Sequence, residues 1–379
     1  MVTKGANTVK NRALPIAMIG VLMLIGTVAA FAGGQKENSS PASMAAAAGS
    51  KGATSNVTLS GAGSSFAYPI YSKMGSEYNK ITDVQLNYQA IGSSGGIKDI
   101  SNKVVDFGGS DAFLTDEQIA KMSAPIIQFP TVAGSIVITY NLPGNPTIRL
   151  TGDVIAKIFL GQITKWNDPA ITSLNPGITL PSEDIIVAHR SDGSGTTFNF
   201  SLYLSRVNAD WKSKVGYGTS VNWPAGLGGA QNAGVAGIIT QTPGAIGYVE
   251  LAYATENKLP FATLQNAAGN WIVASLASTS QAANTKIPAD GRIYLDNTTA
   301  AQGYPITTLT WVIAYKEQSY AGRSEAQAKA LVDFFWWMIH DGEKYAEGLQ
   351  YSPLPAAAVT ADENILRQIT FNGKPILTK

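Results

Sequence analysis

From Val57 onward, short apolar or β-branched runs alternate with helix-patterned segments, and no other feature of the sequence constrains the fold as tightly. Runs readable as strands fall at Val57–Ser60, Val84–Ala90, Val104–Gly108, Ile126–Phe129, Ser135–Asn141, Ile185–His189, Ile246–Glu250 and Thr308–Tyr315. Helices are expected at Pro69–Asn79, Ile97–Asn102, Thr115–Met122, Gly152–Phe159, Thr197–Val207, Ser324–His340 and Pro355–Thr370. Thr115 and Gln118 form a capping box, and Pro69 sits where a first helical turn tolerates a missing N–H. Such alternation predicts α/β architecture with largely parallel sheets. Phe335 and Trp336 fall in an apolar helix and read as core, and no internal repeat is present.

At 379 residues the chain exceeds one ordinary domain, and 45% hydrophobic against 14% charged residues gives it a sizeable core, so two lobes are expected. A net charge of +1, from 27 basic and 26 acidic residues, supplies no general field for nucleic acid or an anionic membrane. Any anion must then be held by a local site. The absence of cysteine excludes disulfides, thiolate metal ligands and a cysteine nucleophile, and two histidines make a histidine-rich metal site an unsuitable reading. No metal and no cofactor are expected.

The N-terminus carries Lys4, Lys10 and Arg12 ahead of an apolar run from Ala13 to Ala32 that ends in Ala30-Phe31-Ala32. This pattern predicts an export signal over 1–32, cleaved after Ala32, although the run is also long enough to remain as a membrane anchor. Residues 33–55 are rich in Gly, Ser, Ala and Lys and are expected to form a disordered linker.

One local design recurs: a strand, a turn of small and hydroxyl residues, then a helix. It occurs at Gly61-Ala62-Gly63-Ser64-Ser65-Phe66, at Gly92-Ser93-Ser94-Gly95-Gly96 and at Ser191-Asp192-Gly193-Ser194-Gly195-Thr196. A helix N-terminus presents unpaired N–H groups and a partial positive charge, so it binds anions without a cation. Glycine admits close backbone approach, and Ser or Thr hydroxyls add donors. A single such turn reads equally as an ordinary N-cap. Three in one chain point to an oxyanion site.

Arg190 precedes the third turn at the carboxyl end of a strand, where open α/β sheets place ligands. Its planar fork suits a tetrahedral oxyanion, while pairing with Asp192 on the surface is the plainer alternative. Asp111, in Asp106-Phe107-Gly108-Gly109-Ser110-Asp111, becomes intelligible beside an anion that carries a proton. An ionised carboxylate accepts but cannot donate, so it favours an O–H on phosphate and repels fully deprotonated sulfate. The alternative is a turn residue opening the Thr115 helix. The glycine-rich stretch Gly226–Gly234 lacks the arrangement of a nucleotide loop and reads as a loop of the second lobe, and Trp166, Trp211 and Trp223 read as packing residues.

In the segments GAGSSFAYPIY, YQAIGSSGGIKDI, VDFGGSDAFLTDEQ, QFPTVAGSIVITYNLPG, IFLGQITKWNDPAI, HRSDGSGTTFNF and PGAIGYVE the chain resembles the phosphate-binding component of the phosphate-specific transport (Pst) ABC system. The resemblance runs from about Val57 to the C-terminus. It implies a two-lobe periplasmic-binding-protein (venus-flytrap) fold, each lobe a mainly parallel sheet flanked by helices, with the ligand in the interlobe cleft. The first lobe would comprise 56–141 and 306–379, and the second 142–305. Carried over by position, the phosphate contacts fall on Ser65, Phe66 through its N–H, Ser93, Asp111, Arg190, Ser194, Gly195 and Thr196, with Asp192 holding Arg190 in place. Ser65 stands where the family often has Thr. His189 is read as a strand residue at the lobe surface without a ligand role.

The resemblance implies an extracytoplasmic, monomeric binding protein that delivers inorganic phosphate to the permease of an ABC importer, with no bond made or broken. Two alternatives belong to other classes: an exported phosphatase-like hydrolase, or a binder of another oxyanion. The hydrolase reading lacks support in the residues. Gly193-Ser194-Gly195 does not complete a G-x-S-x-G elbow, and no histidine or metal cluster stands ready to activate a hydroxyl.

Overall fold

The computed structural model describes residues 57–377. The expected signal and linker, 1–55, lie outside the described residues. Eight strands form one sheet: β1 (Thr58–Gly63), β2 (Gln85–Ala90), β3 (Phe107–Ser110), β4 (Ile126–Tyr140), β5 (Ile186–Arg190), β6 (Leu227–Gly229), β7 (Ala245–Glu250) and β8 (Thr307–Tyr315). Their spatial order is β2-β1-β3-β8-β4-β7-β5-β6.

The sheet has two halves. β1 pairs in parallel with β2 and β3, and β5 pairs in parallel with β6 and β7. The halves meet through antiparallel pairings of β8 with β3 and β4, and of β4 with β7. β4 is the shared strand. Its residues up to Ser135 pair with β8, and from Ile136 to Tyr140 it pairs with β7.

Sequence patterning splits β4 into two strands on either side of Pro130, whereas the structure carries one strand through. Proline has no N–H to give a ladder, and the register shifts at this point: Thr310 faces Val132 and Trp311 faces Pro130. Thr131 is the extra residue of a bulge, which accommodates the proline inside a buried strand.

Helices α1 (Tyr68–Thr82), α2 (Ser93–Ser101), α3 (Gly195–Val207), α4 (Gln231–Gln241) and α5 (Leu251–Glu256) follow β1, β2, β5, β6 and β7, and α6 (Glu325–Met338) follows β8. The expected capping box of Thr115 and Gln118 is formed, opening the short helix Asp116–Ala120. α6 closes one layer: Phe335 packs edge-on against Phe107 and Phe129, with ring centroids 5.5 and 5.3 Å apart. Trp166 and Trp211 are fully buried, and each indole N–H finds a carbonyl, on Gly244 at 2.9 Å and Gly216 at 2.8 Å. Sequence patterning misses α4, because QNAGVAGIITQ has two glycines, no side-chain N-cap and little contrast between its faces. Among the described residues, no helix is long and apolar enough to cross a membrane.

Candidate functional site

The helices α1 to α5 each start at the carboxyl end of a parallel strand; the parallel strands of the two halves run in opposite directions and are offset along β4, so the helix N-termini of one half face those of the other. The turns singled out from sequence lie there. Ser65, Phe66, Ser93, Asp111, Arg190, Ser194 and Thr196 are all buried, none more than 3% exposed.

The second and third turns touch. Ser94 N donates to Gly193 O at 3.1 Å, and Gly195 N donates to Ser93 Oγ at 3.0 Å. A Cβ on Gly195 would stand 2.6 Å from Ser93 Oγ and 2.7 Å from Asp111 N, so only glycine permits this approach. The first turn meets the other half through Tyr253, whose hydroxyl donates to Ser65 O at 2.7 Å, and through Asn232. Asn199 Nδ2, one turn into α3, donates to Asp111 O at 2.6 Å. The two halves are thus closed on one another around these residues.

Hydroxyl polarity is set by the neighbours. A hydroxyl has one proton and two lone pairs. Ser93 Oγ receives the N–H groups of Gly195 at 3.0 Å and Asp111 at 3.3 Å. Ser65 Oγ receives N and Nδ2 of Asn232 at 3.1 and 3.0 Å. Thr196 Oγ1 receives Arg190 Nη1 at 3.4 Å and Asn232 Nδ2 at 3.3 Å. Each retains only its proton to offer, with the Asp111 carboxyl as a nearby acceptor for Ser93. The amides of Ser65, Phe66 and Thr196 have no hydrogen-bond acceptor among the described residues. The Phe66 ring packs edge-on to Tyr351 at 6.0 Å, and the Tyr351 hydroxyl donates to Phe66 O at 2.6 Å. Ser194 caps α3, its Oγ accepting Thr197 N at 3.1 Å.

Asp111 is the complementary acceptor. Its Oδ1 takes hydroxyls from Ser64 at 2.5 Å and Thr310 at 2.9 Å, and the Ser93 hydroxyl also faces the carboxyl. Burial pushes its carboxyl up to about 6, against the lowering effects of Ser64, Thr310, the Arg190 charge and Ser93.

Arg190 is clamped by Asp192, with Nε to Oδ1 at 2.7 Å and Nη2 to Oδ2 at 2.5 Å. Burial raises the Asp192 carboxyl, but the hydrogen bonds and charge of Arg190 outweigh it and hold the group below the ordinary range. The guanidinium is buried inside the cleft, so the surface pairing considered from sequence is not what forms. His189 also departs from its expected surface position: its ring is half-buried, stacked on Trp223 at 4.8 Å, and its Nδ1 lies 3.0 Å from Arg190 O.

Sequence reading missed Ser64, Thr310, Asn199, Tyr253 and Asn232. The stretch Gly226–Gly234, expected to be a loop, is β6 and the start of α4, and it delivers Asn232 to the site. Its signal was the same strand, turn and helix design already recognised three times. Among the described residues, no group of three or more His, Cys, Asp or Glu stands together to hold a metal.

Residues 45–337 match the family model described as a PBP superfamily domain. The chain is similar to the phosphate-binding protein PstS of Xylella fastidiosa, 47% identical over 323 residues, covering 83% of this chain and 85% of that one. It is 44% identical over 308 residues to PstS of Haemophilus influenzae, covering 80% of this chain and 90% of the relative. Among solved structures, a high affinity periplasmic phosphate-binding protein bound with phosphate shares the fold at a TM-score of 0.66 and 20% identity, covering 81% of this chain and 93% of its own. A phosphate-binding protein from Stenotrophomonas maltophilia does so at 0.63 and 17%, over the same shares.

Proposed function

The chain belongs to the PBP superfamily and, within it, to the PstS phosphate-binding proteins, and on that premise we propose that it captures inorganic phosphate between its two lobes for an ABC importer. The observation that carries this reading is the division of hydrogen-bonding roles. Ser65, Ser93 and Thr196 have only protons to offer, and Asp111 Oδ2 has only lone pairs. A protonated tetrahedral oxyanion needs many donors and one acceptor.

Ser65, the Phe66 amide, Ser93, Arg190, Ser194, Gly195 and Thr196 then surround the oxygens, and Asp111 receives the phosphate proton. Asp192 orients Arg190. Gly195 contributes by close approach, since its own N–H is engaged by Ser93. The lobes divide at 141 and 305. β4 changes partner within Ile126–Tyr140 and β8 brings the chain back, which supports that division.

Binding and release complete the task, without catalysis. Export by the N-terminal segment, a monomeric state and docking on a membrane permease belong to the same reading, which follows the family. The test is calorimetric titration of the purified protein with phosphate and with sulfate near neutral pH. Strong preference for phosphate is expected, and equal affinities would overturn the reading. Release of product from a chromogenic phosphoester would instead favour the hydrolase.

A further inference from the structure

Asn232 has no exposed surface, and all of its side-chain polar atoms are engaged. Its Oδ1 accepts Glu250 N at 3.0 Å. A backbone N–H only donates, so this bond fixes which end of the amide is oxygen and aims Nδ2 into the cleft. There Nδ2 meets Ser65 Oγ at 3.0 Å and Thr196 Oγ1 at 3.3 Å, while the backbone N–H of Asn232 meets Ser65 Oγ at 3.1 Å. Ser65 comes from the first turn, and Thr196 and Asn232 from the other half of the sheet.

We propose that Asn232 is a positioning residue that sets the polarity of the site: by filling lone pairs of Thr196 within its own half and of Ser65 when the halves close, it makes both hydroxyls obligate donors to the oxyanion. The inference rests on the oxyanion reading above and adds a determinant to it. Without the Asn232 side chain each hydroxyl keeps one donor, the residue 232 N–H on Ser65 and Arg190 Nη1 on Thr196, but its second lone pair is released and can turn toward the ligand, where two acceptors would face one another. Because Asn232 reaches Ser65 across the cleft but Thr196 within its own half, the Ser65 donor is fixed only in the closed form, at the moment water is excluded, while Thr196 is held beforehand.

The test is a cycle of variants titrated with inorganic phosphate by calorimetry. Asn232→Ala is expected to weaken binding about ten-fold in the native background and less than about two-fold in a Ser65→Ala, Thr196→Val background, because its effect runs through those hydroxyls. Asn232→Asp is close to isosteric and keeps an acceptor for Glu250 N, but its carboxylate draws both hydroxyl protons toward itself. A loss of about a hundred-fold or more is expected at mildly alkaline pH. Native-like binding by Asn232→Asp would overturn the proposal, as would an equal loss from Asn232→Ala in both backgrounds, which a purely structural role produces. Failure of the unmutated protein to bind phosphate would strike the oxyanion reading instead.

Discussion

Ser64 Oγ donates to Asp111 Oδ1 across 2.5 Å, and with Thr310 on the same oxygen at 2.9 Å it decides where a proton on this carboxyl must sit. Oδ1 is occupied by two donors, so protonation falls on Oδ2. Burial holds the group up at about 6. Above that pH Oδ2 accepts, and on the proposed reading the site should exclude an anion with no proton. As pH falls through this value Oδ2 becomes a donor, and sulfate should be admitted. Sulfate competition against phosphate is expected to strengthen on acidification. Asp111→Asn should fix the acidic behaviour at every pH, since Ser64 and Thr310 hold its Oδ1 and turn Nδ2 to the ligand. A sulfate affinity independent of pH in the unmutated protein would refute this assignment of Asp111.

Arg190→Ala should lower phosphate affinity by about a hundred-fold or more, the usual consequence of removing a desolvated charge from a bound anion. The fold should survive, because Asp192 retains 21% side-chain exposure and also accepts Gln231 N at 2.9 Å, so its carboxylate is not stranded. Calorimetry together with a thermal melt checks both halves. An unchanged dissociation constant would remove Arg190 from the site.

Where local chemistry repeats, the residues of the candidate site were legible. Ser65, Ser93 and Ser194 announce themselves as hydroxyls in glycine-rich turns between a strand and a helix, and Arg190 and Asp111 as charges beside such turns. Thr310 was not legible, because a threonine inside the apolar run TTLTWVIAY reads as a strand residue, and only the pairing of β8 with β3 brings it to Asp111. Asn232 was hidden for a different reason: the helix it opens has weak propensity and no capping side chain. In the fold, β4 was read as two strands, since a proline argues against continuity unless a bulge is foreseen. A bulge depends on the partner strand, which local sequence does not specify.

Glu343 and Asp362 form a buried acidic pair, remote from the ligand turns in sequence. Glu343 Oε2 accepts Leu354 N at 3.2 Å, while its Oε1 and both oxygens of Asp362 have no hydrogen-bond partner among the described residues. Burial pushes Glu343 up to about 8 and Asp362 well above the ordinary range, the latter also repelled by Glu343. The folded state therefore keeps protons that the unfolded chain releases. Stability from this pair is complete below the unfolded carboxyl values and falls as pH rises toward about 8, by at most about 1.4 kcal/mol per pH unit for each group. Urea midpoints should decline between about pH 5 and about pH 8, and Glu343→Gln should flatten the decline. A flat profile in the unmutated protein would show that the pair does not titrate in this window.

Release of the ligand should be governed partly by Tyr294. Its ring lies between the halves, 4.6 Å from Phe113, two residues past Asp111, and 5.7 Å from Phe198, two residues past Thr196. Arg292 and Asp296 flank it, two residues to either side. Arg292 Nη1 pairs with Asp116 Oδ1 at 2.5 Å on the first half, and Asp296 Oδ2 pairs with Arg206 Nε at 2.9 Å on the second. The Arg292 pair is exposed on its acidic side and adds little, so the bridging falls to the rings and to buried Asp296. Opening the cleft must separate Tyr294 from at least one ring. Loss of such a pair costs about 0.5–1.5 kcal/mol, so Tyr294→Ala should speed phosphate release by about ten-fold at most, with the association rate little changed. Tyr294→Phe keeps the ring and should release at the native rate. Stopped-flow displacement measures both, and equal release rates for the alanine variant and the unmutated protein would show that the rings do not resist opening.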